Sequence, residues 1–162
     1  MLSKLLSSQI IIYNFILFFS FSLSVNHFVN LEIVNYLAYV FFHLTLIYVI
    51  FYFFQFYLIF LTFLYGIFYD IFLINYISPH LISFLVFVAI FYYTKKYLIN
   101  LSSTHISFII IFLTLIMFFF ETLIAKLLFN YPVNYQNLTW LFCTSIILFF
   151  PSFILFSKID KL

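Results

Sequence analysis

Residues 33 to 69 run for 37 positions without one Asp, Glu, Lys or Arg, and that length decides most of what the chain can become. As a single α-helix, at about 1.5 Å per residue, the run would reach roughly 55 Å, nearly twice the ~30 Å hydrocarbon core of a bilayer. It must fold back on itself. No proline marks the place, so the bend is expected at its most polar part, Tyr52 to Gln55. Residues 5 to 31, 71 to 94, 97 to 120 and 127 to 157 are also free of charged side chains, and each exceeds the ~20 residues that a crossing needs. With 68% hydrophobic and 6% charged residues, against roughly 25% charged in an ordinary soluble domain, the chain reads as one integral membrane domain over residues 1–162. It shows no strand-like alternation of apolar and polar positions, which excludes an outer-membrane barrel. The expected fold class is all-α, a polytopic membrane helix bundle of six helices. Their expected spans are 8–26, 32–52, 56–75, 80–98, 105–128 and 137–157, with Asn, Ser and Pro collected in most of the connections.

The lysines orient this bundle. Six helices put the amino end, the connections after the second and fourth helices and the carboxyl end on one side. That side receives Lys4, Lys95, Lys96, Lys158 and Lys161, so by the positive-inside rule both termini are expected in the cytoplasm. The same bias accounts for the net charge of +2 and leaves nothing that points to nucleic acid. The first apolar stretch is longer than the 7–15 residues of a signal-peptide core and no small-x-small cleavage site follows it, so it is expected to remain in the chain. Cys143 is the only cysteine; it cannot form an internal disulfide and reads as a small buried apolar residue.

Charge within an apolar span is costly and draws attention wherever it occurs. Asp70 falls in the third helix and Lys126 near the end of the fifth, the one lysine against the charge bias. Three readings of them are compatible with their positions: a pair, two groups that each reach the interface with Lys126 snorkelling, or a substrate or proton-relay role for Asp70. Glu121 lies nearer the middle of the fifth helix and calls for protonation or for a hydrogen bond across the bundle from a Tyr or Asn. Glu32 opens the second helix, where a carboxylate complements the positive helix terminus. Of the four histidines, His27 and His80 are expected in connections, His105 at the interface and His43 within a helix, hydrogen-bonded to a neighbour. None has the i, i+4 spacing of a helical zinc site, so no metal is expected. No nucleophile triad and no phosphate loop is present either, and neither an enzyme nor a cofactor is expected.

The segment GIFYDIF at 66–72, in the third of six helices and followed by SPHLISFLVF, resembles the GL-x-x-D-L-L segment and following helix of the MreD family, the bacterial rod shape-determining membrane proteins. Glu32 matches the acidic residue that this family carries at its second helix, KKYLI its basic cytoplasmic connection, and FFPSFILFSKIDKL at 149–162 its last helix and tail, with Pro151 and Asp160 at matching positions. The chain departs from the family in lacking the further glycines around the motif. The resemblance implies a non-catalytic scaffold of the bacterial inner membrane that binds MreC and helps couple MreB filaments to RodA and a penicillin-binding transpeptidase in cell-wall elongation. It also implies that Gly66 admits a neighbouring helix while Asp70 fixes its register, through Lys126 or through MreC. The family's fold is similar to that of the substrate-binding S components of energy-coupling-factor vitamin transporters, which form the alternative reading. Against it, the first helix lacks their small-xxx-small face, and the one tryptophan, Trp140, reads as an interfacial anchor.

Overall fold

The computed structural model describes residues 8–26, 32–74, 79–98, 103–130 and 132–161. Within them the chain is helical throughout its regular structure: α1 (Ser8–Val25), α2 (Glu32–Phe53), α3 (Phe56–Tyr69, continued by a π-helical turn over Asp70–Ile74), α4 (Pro79–Leu98), α5 (Ser103–Phe129) and α6 (Tyr135–Ile159). The long uncharged run breaks at Phe54 and Gln55, inside the stretch where the bend was expected. Lys4 and His27 lie outside the described residues, as do the side chains of Glu32, Lys95 and Lys96.

Local chemistry sets the helix ends. Pro79 opens α4, where the missing N–H costs nothing and the fixed φ suits the first turn. The Asn134 side chain accepts a hydrogen bond from the Asn137 N–H at 3.2 Å and so caps α6. Asn130 stops α5 in the left-handed region, φ 53°, which Asn tolerates better than most residues, and its N–H returns to the Lys126 carbonyl. Pro151 sits inside α6; it removes one backbone donor, and the helix continues through it.

α2 is the central post. It packs on α1, α4, α5 and α6, and α3 pairs with α4. In its most apolar window 61% of the residues are buried, against 11% for α6. Side-chain contacts show that successive helices alternate in direction. Ser24, at the end of α1, meets Tyr69 at the end of α3, whereas Tyr13, early in α1, meets Asp160 just past α6. The end where α1 begins and α6 finishes is called here the near end, and the opposite one the far end.

The exterior is apolar. Phe15, Phe60, Phe108 and Phe150 are 65% to 70% exposed, which fits a lipid-facing surface rather than water. Four helices, Ile33–Phe53, Phe56–Leu73, His105–Phe129 and Tyr135–Ile159, are long and apolar enough to cross a membrane, while the apolar parts of α1 and α4 are shorter. Hydroxyls within the helices turn back onto their own backbone. Thr45, Ser83, Thr114 and Thr122 each donate to the carbonyl four residues earlier, so they add no polar surface to the packing.

Candidate functional site: two polar clusters

The far-end cluster starts from Gly66. A Cβ at this position would lie 2.7 Å from the Leu81 Cα and 3.1 Å from its nitrogen, so glycine is what lets the start of α4 press against α3. One turn further, Asp70 is fully buried and takes hold of that same start. Its Oδ1 accepts the His80 backbone N–H at 2.9 Å and its Oδ2 the Leu81 N–H at 3.1 Å. These are N–H groups that the first turn of a helix cannot satisfy internally. Asp70 thus caps α4 from the preceding helix, and the negative charge faces the positive helix end. The His80 ring stacks on Tyr69, 5.4 Å between centroids, and its Nδ1 reaches Asp70 Oδ1 at 2.8 Å.

From His80 the polar contacts continue inward. His80 Nε2 lies 2.9 Å from the Tyr39 hydroxyl, which is 2.7 Å from Glu121 Oε2. Glu121 Oε1 is 3.1 Å from His43 Nε2, and His43 Nδ1 donates to the Tyr39 carbonyl at 2.8 Å. Residues of α2, α3, α4 and α5 therefore meet in one chain of hydrogen bonds. Aromatic rings enclose it: Tyr39 stacks on Phe118, and His43 lies against Phe84 and Phe118. Two cavities border the cluster at the far end, of about 420 and 220 Å³, which share Tyr39, Asn137 and Leu141. Ser24, Asn35 and Tyr36 line the larger one, and His80, Glu121 and Thr122 the smaller.

The near-end cluster centres on Asp160. The Tyr13 hydroxyl donates to its Oδ1 at 2.8 Å, Tyr48 donates to its Oδ2, and Gln9 Nε2 reaches its backbone carbonyl at 2.9 Å. One carboxylate thereby fastens the end of α6 to α1 and α2.

Several expectations are corrected by this geometry. Asp70 is held by α4, whereas Lys126 is exposed in the last turn of α5 and makes no ion pair among the described residues. His80 lies in the first turn of a helix, 6% exposed, and not in a connection, because Pro79 starts α4 one residue ahead of it. Cys143 is exposed on α6 and not buried, since only one narrow face of that helix meets the bundle. Glu121 has the expected tyrosine partner and, in addition, His43. Trp140 is exposed at the start of α6, and Pro151 is exposed as well. Tyr39 was not singled out in the sequence, being one of 14 tyrosines; its position four residues before His43 is the one signal that could have found it.

Fold and site together define an all-helical membrane protein whose buried carboxylates fasten helices to one another. Comparison with protein-family models, with curated proteins and with solved structures finds no match.

Proposed function

We propose that this chain is a non-catalytic scaffold of the bacterial cell-wall elongation machinery, an MreD-like protein that crosses the inner membrane six times with both termini cytoplasmic and regulates rod shape by binding MreC. The observation that carries the reading is the α3–α4 lock. The two residues of the resemblance with the clearest chemistry, Gly66 and Asp70, set the close approach of α3 and α4 and the cap of α4. Asp160, which also matches the family, fastens the last helix. A chain that places its carboxylates in such fasteners presents fixed outer faces to a partner. α6, the least buried of the four long apolar helices, offers one, with Ile146, Ile147, Phe150 and Ile154 all exposed. Asp70 is fully buried, so it acts on MreC binding by shaping the bundle and not by touching MreC.

The far-end cavities favour a second reading, the S component of an energy-coupling-factor transporter, in which they would hold a small molecule. One experiment separates the two. Tagged protein is purified from its native membranes in mild detergent and its partners are identified by mass spectrometry. Recovery of an MreC-like protein supports the scaffold. Recovery of ATPase and transducing subunits without it overturns the scaffold in favour of the transporter component.

A further inference from the structure

The far-end cluster contains five hydrogen bonds in series: Asp70 to His80, His80 to Tyr39, Tyr39 to Glu121, Glu121 to His43, and His43 to the Tyr39 carbonyl. Each bond needs one proton, and only one. With both carboxylates ionised, both histidines neutral and Tyr39 a phenol, the five side chains bring three. Two are missing, and without them acceptors would face each other inside a buried site, a costly arrangement. Adding two protons completes every bond and cancels the two carboxylate charges.

We infer that Asp70, His80, Tyr39, Glu121 and His43 form a binding site for a pair of protons, open to the far-end cavity and closed toward the near end. The Tyr39 carbonyl can only accept, so His43 Nδ1 carries a proton, and the contact between Nε2 and Glu121 holds another. Tyr39 is the movable link. In one arrangement His80 Nε2–H donates to the Tyr39 oxygen and Tyr39 donates to Glu121 Oε2. In the other, the His80 proton has passed to the Tyr39 oxygen while the proton of Tyr39 has passed to Glu121. An imidazolium and a carboxylate become a neutral imidazole and a carboxylic acid, and no charge leaves the cluster.

Protons enter from the smaller cavity, which His80 and Glu121 both line. Toward the near end the next turns carry Leu46, Ile47, Phe84, Met117 and Phe118, each 1% exposed or less, and the nearby Thr45 and Thr114 hydroxyls are spent on their own helices. Among the described residues, the other titratable groups around the cluster are Tyr65 and Tyr69 of α3 and Tyr36 of α2. α1 and α6 contribute Ser24 and Asn137, and Lys126 is exposed five residues beyond Glu121.

The test uses the full chain in lipid vesicles, with His27→Gln and His105→Gln so that only the two cluster histidines remain, labelled with nitrogen-15 and studied by solid-state NMR. At about pH 7.5, above the ~6.5 of a free imidazole, the expected result is two imidazoliums with Glu121 ionised, or one imidazolium with the Glu121 carboxylic acid seen in the infrared. Two neutral histidines beside an ionised Glu121 would overturn the inference. Glu121→Gln, which removes one charge but keeps the hydrogen-bonding shape, should leave one imidazolium; two or none would equally refute it. Vesicles carrying the wild type should hold a pH gradient as long as empty ones, and a leak would refute the closed near end.

Discussion

Replacing Gly66 by alanine puts one methyl group where the start of α4 now lies. Its Cβ would sit 2.7 Å from the Leu81 Cα, while carbon atoms rest at about 3.5 to 4.0 Å, so α4 has to recede by roughly 1 Å. The neighbour is backbone and cannot rotate out of the way. The same displacement would stretch the Asp70 bonds to His80 N and Leu81 N from 2.9 and 3.1 Å to about 4 Å, beyond hydrogen bonding. Bonds to a charged group contribute roughly 1.5 to 3 kcal/mol each, and alanine returns only about 1 kcal/mol of helix propensity. A net loss of about 2 to 5 kcal/mol is expected, which corresponds to a melting temperature lower by roughly 4 to 20 °C in a chain of this size. The assay is the fraction of detergent-solubilised protein that stays monodisperse after heating, measured as a function of temperature. In an Asp70→Ala background the two bonds are already gone, so Gly66→Ala should cost distinctly less there. A Gly66→Ala protein that melts at or above the wild type would refute the close approach and the coupling with it.

Asp70→Leu leaves the His80 and Leu81 N–H groups without their acceptor and should destabilise by about 3 to 5 kcal/mol, whereas Asp70→Asn keeps one acceptor oxygen and should cost clearly less; the same heating assay ranks them. Asp160→Ala strands the hydroxyl of Tyr48 and leaves that of Tyr13 with only the Phe156 carbonyl at 3.3 Å, and should cost about 1 to 3 kcal/mol, with protease cleavage near residue 160 as an independent readout of a released α6 end. Lys126→Ala should change stability by less than about 0.5 kcal/mol, as an exposed side chain outside the clusters; a large loss would mean that it anchors α5.

The helices were legible because their causes are local. The length of the uncharged run 33–69 forces a turn, and Phe54 and Gln55 supply it; expected and observed ends differ by about two residues. Gly66 and Asp70 stood out as the one glycine and a lone acid one turn apart. What the sequence withheld was the identity of partners. His80 follows a proline in a polar stretch, so nothing local distinguishes a connection from the first turn that Asp70 caps. Glu121 lies 78 positions from His43 and 82 from Tyr39, and only the packing of α5 on α2 brings them together. Cys143 misled for a related reason: in lipid both faces of a helix are apolar, so composition does not say which one is buried.

The fastener at Asp160 also bears on the order in which the bundle is completed. Tyr13 and Tyr48 enter the membrane with the first two helices, but the carboxylate that satisfies their hydroxyls is made more than a hundred residues later. Until then the α1–α2 pair carries two phenols without the carboxylate that later accepts from both. Asp160 therefore closes a joint that Tyr13 and Tyr48 opened, and a ribosome that stops short of residue 160 would leave α1 to α6 in an unlatched bundle.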